Sequence, residues 1–215
     1  MSYGIDVAKY RLDDLDKIIL ENISRKLKSC QSPKVLILGS GAGGVALSLA
    51  KLNSNIKVQA IDILPYSNNF LHYQNQDSIL TQKLKFTQAD MLEFVTNMET
   101  GCYTDVVIQR SLHYLPYDSA VKLLKLLSEK IIGHLYLSVS GVNTAIATHY
   151  PNLKQPLNKR FFKLNEAGRK KFSISQPLCL YSLQDIMKVT TACGWRICYH
   201  KTSAFGNIKL VAGVD

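Results

Sequence analysis

Residues 34–50 read KVLILGSGAGGVALSLA, and this stretch decides the fold. A short apolar run at 35–38 leads directly into a glycine-rich turn, and apolar residues at helical spacing follow the turn. A β-strand, a tight turn and the start of a helix fit this pattern together. Glycines let the backbone of such a turn approach a ligand closely, and the helix start offers free N–H groups. The stretch therefore predicts a nucleotide-cofactor site.

The 215-residue chain has the composition of an ordinary globular protein, with 47% hydrophobic and 20% charged residues. Its length predicts a single domain over residues 1–215. No apolar run approaches the roughly 20 residues that span a bilayer, and residues 1–17 carry charges where a signal peptide would need an apolar core. The five cysteines are scattered, without a C-x-x-C pair or histidines at zinc spacing. We therefore expect a cytoplasmic protein with reduced thiols, no membrane partner and no metal site, and its oligomeric state stays open.

Strand-like and helix-like segments alternate along the chain. Strands are predicted at 35–38, 58–63, 84–88, 104–109 and 131–139. Helices are predicted at 12–27, 67–73, 91–98 and 119–130, and a further helix begins directly after the glycines. This alternation predicts a parallel sheet with helices on both faces. A helix over 181–193, capped by Ser182 and Asp185 and ended at Gly194, precedes two strands at 195–201 and 208–214. The predicted fold class is α/β: a doubly wound, mostly parallel seven-stranded sheet with an antiparallel C-terminal hairpin.

The alternation lapses between residues 141 and 178, where the spacing favours a hairpin of 160–164 with 171–174 around a turn at 165–168. Positive charge is concentrated here, because residues 130–215 hold twelve Lys and Arg against three Asp and Glu. Its densest part is the basic segment 151–171. Such a segment is either a solvated face or a surface for an acidic substrate, nucleic acid or anionic lipid.

The glycine pattern by itself does not name the cofactor. Gly39-x-Gly41-x-x-Gly44 also satisfies the pattern of NAD- and FAD-binding folds. Asp62, at the end of the second strand, is positioned to accept hydrogen bonds from ribose hydroxyls, but an NAD site would have an acid there too. An aspartate at a strand end can also simply stabilise the next turn.

Two further segments resemble the class I (Rossmann-like) S-adenosylmethionine-dependent methyltransferases. One is QADM at 88–91, after the third strand, and the other is LHYL at 112–115, after the fourth. The last helix, the glycine-aromatic step after it and the final hairpin resemble the ending of that family. The resemblance covers roughly residues 30–140 and 178–215.

The resemblance implies S-adenosylmethionine as the cofactor and assigns site residues. The glycine loop would pass under the methionine part, Asp62 would hold the ribose, Asp90 would receive the adenine amino group, and the N–H of Met91 would meet the adenine ring. His113, beside the transferring methyl, is a candidate general base or a ring that shapes the pocket, and Tyr114 is a pocket wall or a proton carrier. The implied cofactor-binding residues are Arg11, Gly39, Ser40, Gly41, Ala42, Gly43, Asp62, Ile63, Asp90, Met91 and Gln109, and the implied catalytic residues are His113 and Tyr114.

Ile37 departs from the resemblance, because many members of the family have an acid at this position that organises the methionine end of the cofactor. An isoleucine cannot do so. Backbone carbonyls near Gly39 and Gln109 could supply the contact instead, or the chain could be a non-catalytic relative. Arg11 either reaches the methionine carboxylate or is a surface arginine.

The sequence therefore predicts methyl transfer from S-adenosylmethionine to a small molecule. The basic segment would suit an anionic acceptor. The insertion 141–178 is predicted to be a substrate lid. One alternative is an RNA methyltransferase that uses the basic segment 151–171, although the chain has neither an RNA-binding appendage nor an Asn/Asp-Pro-Pro-Tyr motif after the fourth strand. Another is a non-catalytic module that binds NAD(P) or adenosylmethionine.

Overall fold

Seven strands form one mixed sheet in the computed structural model, which describes residues 13–29 and 32–214. The strands are β1 (Lys34–Leu38), β2 (Lys57–Asp62), β3 (Leu84–Gln88), β4 (Tyr103–Gln109), β5 (Ile131–Val139), β6 (Arg196–Thr202) and β7 (Ile208–Gly213). Their order is β3-β2-β1-β4-β5-β7-β6. β1 to β5 pair in parallel, whereas β7 is antiparallel to both β5 and β6. The predicted fold class and the antiparallel C-terminal hairpin are confirmed.

Eight α-helices connect and cover the strands in the described part of the chain. They are α1 (Asp14–Lys28), α2 (Gly44–Leu52), α3 (Ser67–Gln76), α4 (Leu80–Lys83), α5 (Met91–Asn97), α6 (Tyr117–Lys130), α7 (Glu166–Phe172) and α8 (Leu183–Ala192). Short 3-10 turns lie at Leu112–Tyr114, Ala145–His149 and Leu157–Lys159. None of the helices in the described ranges is long and apolar enough to cross a membrane.

The sheet buries apolar side chains on both of its faces. On one face, α5, α6 and α8 pack around Trp195, whose indole N–H donates to the carbonyl of Leu124 at 2.9 Å. On the other face, α1, α2 and α3 pack against the odd-numbered side chains of β1 and β4, such as Ile37 and Val107. Side chains alternate between faces along a strand, so consecutive residues of β1 serve different cores. This arrangement is the doubly wound one that the sequence predicts.

The hairpin predicted over 160–174 is wrong, because a helix stands in its place. Asn165 caps the N-terminus of α7, and its side-chain oxygen accepts from the N–H of Gly168 at 2.8 Å. With that donor satisfied by a side chain, residues 165–168 begin a helix rather than turn a hairpin. The antiparallel contact that does form joins Phe162 to Leu178. The insertion has a small core of its own, and its buried members are Ala147, Tyr150, Leu164, Ile174, Leu178 and Leu180.

A buried ion pair fixes the end of α1 against the start of β4. Lys26 Nζ donates to both oxygens of Asp105, at 2.6 and 2.7 Å, and the Asp105 side chain is fully buried. Thr104 Oγ1 donates to the same carboxylate at 2.7 Å. Burial opposes ionisation, but the neighbouring His134 and Lys26 outweigh it and lower the pKa of Asp105. Asp105 therefore stabilises the fold above its unfolded-state pKa, and this contribution is lost as the pH falls through the lower, folded-state pKa.

Replacing Lys26 with Met should lower the free energy of unfolding by about 3 kcal/mol, because it leaves a buried carboxylate without its main cation. Urea denaturation monitored by circular dichroism measures the change. The matched control is Lys28→Met, an exposed residue at the same helix end, which should change stability by less than about 0.5 kcal/mol. Equal effects of the two substitutions would contradict the role given to the ion pair.

Candidate functional site

Most of the predicted site residues lie at the carboxyl ends of the parallel strands, where open α/β sheets form a crevice for ligands. The strand order runs outward from β1 through β2 to β3 in one direction and from β4 to β5 in the other. The connections therefore part between β1 and β4, the place where open α/β sheets bind ligands. The glycine loop 39–43 follows β1, Asp62 ends β2, and Asp90 follows β3.

The glycine loop needs its glycines for their backbone conformation and, at two positions, for close packing. Gly39, Gly41 and Gly43 all have positive φ, at 71°, 53° and 85°. A Cβ on Gly39 would collide with the side chain of Ser111, and one on Gly43 would collide with the ring of Phe70. A Cβ on Gly41 would meet nothing within 4 Å. Gly39 and Gly43 therefore let the loop pack closely, whereas Gly41 borders open space.

The N–H groups of the loop mostly have partners within the protein. Those of Gly39 and Ser40 both donate to the carbonyl of Ile61, at 2.8 and 3.0 Å, and that of Gly43 donates to the carbonyl of Ser40 at 3.1 Å. The N–H of Gly41 donates to Asp62 Oδ2 at 2.8 Å. Four N–H groups of the loop are therefore bonded within the protein, whereas the first N–H groups of α2 have no partner within the helix.

Ala42 fixes the far side of the loop, because its carbonyl accepts from the hydroxyl of Tyr73 at 2.9 Å.

Asp62 has the turn-stabilising contacts that its position suggested, and it retains acceptor capacity. Its Oδ1 accepts from the N–H of Leu64 at 2.9 Å, and its Oδ2 accepts from Gly41. Each carboxylate oxygen has a second lone pair, so this half-buried group can still accept from two hydroxyls. The next residue, Ile63, is 49% exposed and offers an apolar surface beside it.

Asp90 caps α5 through one oxygen only. Its Oδ1 accepts from the N–H groups of Leu92 and Glu93, at 2.9 and 3.0 Å. Its Oδ2 accepts no hydrogen bond from residues 13–29 or 32–214. Met91, the first residue of α5, reaches toward the loop, with its Cε 3.6 Å from where a Cβ on Gly39 would be.

At the end of β4, Gln109 contacts α1 rather than facing an empty crevice. Its Nε2 donates to Asp16 Oδ1 at 2.6 Å, and Asp16 Oδ2 accepts from the N–H of Asp13 at 2.7 Å. Asp16 is only 5% exposed, and burial raises the pKa of its carboxyl group above the ordinary value. Asp16 is not among the site residues predicted from the sequence. Arg11, which is among them, lies outside the described residues.

Arg110 has a strained backbone at the same edge. Its φ is +51°, a left-handed value that is uncommon for a residue other than glycine. Its N–H donates to the carbonyl and the hydroxyl of Ser138, at 2.9 and 3.2 Å. The next residue, Ser111, donates from its hydroxyl to the carbonyl of Leu38 at 2.9 Å, which joins the end of β4 to the glycine loop.

His113 is a buried, neutral ring that ties three segments together. It is 2% exposed, and burial lowers its pKa to about 3, with a smaller contribution from the charge of Arg110. Its Nδ1 accepts from the N–H of Ser140 at 3.3 Å, and its carbonyl accepts from the N–H of Cys179 at 2.8 Å. Because Nδ1 accepts a hydrogen bond, the neutral ring carries its proton on Nε2. These contacts favour the pocket-shaping interpretation of His113 over the general base.

Tyr114 connects the site to the insertion. Its ring packs against that of His113, with centroids 4.4 Å apart, and against the small core of residues 141–178. The insertion is fastened by Arg160, which donates to the carbonyl of Leu180 and to Asp185 Oδ2, at 3.0 and 3.1 Å. Arg160 is therefore a structural residue. The exposed cations of the basic segment are Lys154, Lys159, Lys163, Arg169, Lys170 and Lys171.

The described part of the chain contains no group of three or more His, Cys, Asp or Glu side chains that could hold a metal ion.

The sequence matches no protein-family model and no protein of curated function. Solved structures do match, 1027 chains in all. One is the 1,6-didemethyltoxoflavin-N1-methyltransferase of Burkholderia thailandensis with bound 1,6-didemethyltoxoflavin and S-adenosylhomocysteine (TM-score 0.67, 12% identity, 98% of this chain and 80% of that chain). Another is an S-adenosylmethionine-dependent methyltransferase of Clostridium acetobutylicum ATCC 824 (0.64, 12%, 97% and 94%). A third is the magnesium protoporphyrin IX methyltransferase of Synechocystis PCC 6803 with bound SAH (0.61, 15%, 95% and 89%). This chain has the fold of those S-adenosylmethionine-dependent methyltransferases.

The buried neutral state of His113 predicts an acid-sensitive fold. Unfolding releases the ring to its ordinary pKa of 6.5, so the unfolded state takes up a proton that the folded state excludes down to about pH 3. The contribution of this group to the free energy of unfolding is complete above pH 6.5 and decreases as the pH is lowered, by about 2 kcal/mol between pH 7 and pH 5. Urea denaturation of the wild type and of His113→Gln at both pH values measures it.

Between pH 7 and pH 5, the free energy of unfolding of His113→Gln should decrease by about 2 kcal/mol less than that of the wild type, because an amide does not titrate. His72→Gln removes an exposed imidazole and serves as the matched control, with the acid sensitivity of the wild type retained. An unchanged pH dependence in His113→Gln would mean that His113 is not excluded from protonation in the folded state.

Proposed function

We propose that this chain transfers a methyl group from S-adenosylmethionine to a small-molecule acceptor. The observation that carries the proposal is the pair of carboxylates beside the glycine loop, Asp62 at the end of β2 and Asp90 after β3, each with acceptor capacity left. The N–H groups of Gly39, Ser40, Gly41 and Gly43 are already bonded, one of them to the carboxylate of Asp62. A pyrophosphate would therefore depend on the start of α2 for its donors, with the negative charge of Asp62 nearby. This arrangement suits a cationic or neutral ligand better than NAD or NADP.

The remaining acceptors fit the parts of adenosylmethionine in order along the sheet edge. The open oxygen of Asp90, after β3, suits an adenine amino group, and Asp62, after β2, suits the ribose hydroxyls. The space beside Gly41, after β1, suits the methionine part. Neighbours with this fold that were solved with S-adenosylhomocysteine support the same ligand.

When bound, S-adenosylmethionine supplies a methyl group made electrophilic by the positively charged sulfur. The protein then has to hold the acceptor in line with that bond and exclude water. Met91 and Ile63 offer apolar surface along the crevice, and the strained turn at Arg110 borders it at the end of β4. The Nε2–H of His113 is a hydrogen-bond donor, so this ring would orient the acceptor or shape the pocket rather than remove a proton.

The insertion 141–178 is proposed as the lid over the acceptor. Tyr114 links its core to the ring of His113, so closure of the insertion and the shape of the pocket are coupled through direct packing. Its exposed cations, apart from Lys170 with its Glu166 partner, are available to an anionic acceptor. A small molecule is favoured because two of the structural neighbours act on small molecules by name, a toxoflavin precursor and magnesium protoporphyrin IX.

Isothermal titration calorimetry with four ligands tests the cofactor. S-adenosylmethionine and S-adenosylhomocysteine should bind more tightly than NAD and NADP, because four loop N–H groups are already bonded and Asp62 places a negative charge beside the loop. Binding of the dinucleotides alone would overturn the proposal.

The acceptor class is tested by incubating the protein and methyl-labelled cofactor with cell extract. The label should appear in the small-molecule fraction. Label recovered in RNA instead would favour the alternative that uses the basic segment.

Gly41→Ala should weaken S-adenosylhomocysteine binding at least about tenfold, because its Cβ enters the space assigned to the ligand and disturbs the N–H that binds Asp62. The matched control is Gly101→Ala. Gly101 also has a positive φ with open space around it, but it precedes β4 at the opposite edge of the sheet. Both substitutions should cost about 1–2 kcal/mol of stability through left-handed strain, and only Gly41→Ala should weaken binding. Equal affinities would mean that the ligand does not pass Gly41.

A further inference from the structure

Asp16 is a buried carboxylate that the proposed function does not yet use. It is the third residue of α1 and accepts from the N–H of Asp13, which completes a capping box. A capping box is normally a surface feature, yet Asp16 is 5% exposed. A carboxylate taken out of water is costly unless a cation or several donors compensate it. Its two donors are the N–H of Asp13 and the side-chain amide of Gln109, and both are uncharged.

The position of Asp16 follows from the pairing of β1 with β4. Leu38 pairs with Ile108, so the residues that follow, Gly39 and Gln109, are neighbours at the carboxyl edge. Gln109 is on the same face as Val107, which packs against α1. The carboxylate that Gln109 holds at 2.6 Å therefore lies on the α1 side of the crevice, beside the start of the glycine loop.

The same face of β1 has no acid of its own. β1 reads KVLIL, and Ile37, two residues before Gly39, is 3% exposed in the core that includes Leu15 and Ile19 of α1. Of the carboxylates described along this edge, Asp90 lies by β3 and Asp62 by β2, whereas Asp16 lies at the end of β4. The methionine end of the proposed ligand falls between β1 and β4, where Asp16 is the available anion.

The charges around Asp16 leave room for a cation. No ion pair within 4.0 Å joins Asp16 to another described residue, and the charge of Arg110 affects its pKa less than burial does. Burial is the larger effect, and it raises the pKa of the Asp16 carboxyl group. Each oxygen of the carboxylate accepts one hydrogen bond and keeps a second lone pair. A ligand ammonium would supply both a charge and donors.

We propose that the carboxylate of Asp16 binds the ammonium group of the methionine part, in place of the acid that β1 lacks. The inference rests on the proposed function, because it assigns a partner to one group of the same cofactor. Gln109 is then a positioning residue, which holds the Asp16 carboxylate at the crevice.

The test is a double-mutant cycle that removes the charge from the protein and the ammonium from the ligand. The ligands are S-adenosylhomocysteine and its deamino analogue, in which hydrogen replaces the amino group, and the proteins are the wild type and Asp16→Asn. The wild type should bind S-adenosylhomocysteine about 10- to 100-fold more tightly than the analogue by calorimetry. Asp16→Asn should bind the two ligands within about threefold of each other, because the charge-assisted bond is gone.

Asp14→Asn is the matched control, since it removes the same charge from the first turn of α1 at an exposed site paired with Lys201. It should discriminate between the ligands as the wild type does. Asn at position 16 still offers an oxygen to the N–H of Asp13, so the helix start is retained. If this variant fails to fold, Asp16→Ser, whose hydroxyl can also accept from Asp13, takes its place with the same expected loss of discrimination.

The outcomes separate this inference from the proposed function. A wild type that binds both ligands equally, or an Asp16→Asn that still prefers S-adenosylhomocysteine as the wild type does, would overturn the role of Asp16 and leave the cofactor assignment standing. A wild type that binds neither ligand would overturn both. Equal weakening of both ligands in Asp16→Asn, with the wild-type preference retained, would reduce Asp16 to a structural part of the helix cap.

Discussion

The placement of α1 along β4 is the constraint on which the site depends. Asp105 at the start of β4 binds Lys26, and Gln109 at its end binds Asp16, so the helix runs antiparallel to the strand and is held at both ends. Ten helical residues rise about 15 Å, and four strand residues rise about 13 Å. The two spacings agree closely enough for both contacts to form together. Through them, the position of α1 sets the wall of the crevice beside the glycine loop.

The two carboxylates at the ends of this contact differ in what they contribute. The charge of Lys26 and the neighbouring His134 lower the pKa of Asp105, so its ionised form favours folding. Burial raises the pKa of Asp16, so its ionised form opposes folding, and the stability it contributes when protonated is lost as the pH rises through its folded-state pKa. Under the proposed role of Asp16, the ligand ammonium would offset this cost on binding. At the end of α1 near Lys26, the buried carboxylate of Asp105 is paired with a cation within the protein. At the other end, the buried carboxylate of Asp16 has only uncharged donors.

The sequence was sufficient for the sheet because its signals are local. The step from apolar strand to glycine turn, the alternation of elements and the capping box at Ser182 each act within a few residues, and all are found in the structure. The hairpin over 160–174 failed because Asn165 acts as a helix cap, and Gly168 in the first turn of that helix lies close to His149. Asp16 does fall on the buried stripe of α1 with Ile19 and Ile23, at successive spacings of three and four residues. That pattern could have identified it as a buried acid, but its partner Gln109 is 93 residues away and only the fold brings the two together.

The glycine loop illustrates a deeper limit, because the same motif serves two kinds of ligand. Spacing of Gly39, Gly41 and Gly44 fits a pyrophosphate as well as a sulfonium amino acid. What separates them is the direction of the loop N–H groups, and here Ile61 and Asp62 take up those of Gly39, Ser40 and Gly41. Those three N–H groups are not available to a phosphate, so a pyrophosphate would depend on the start of α2. Asp62 and Asp90 place acceptors beside the loop, and α1 holds the buried carboxylate of Asp16 against Gln109, next to the start of the loop.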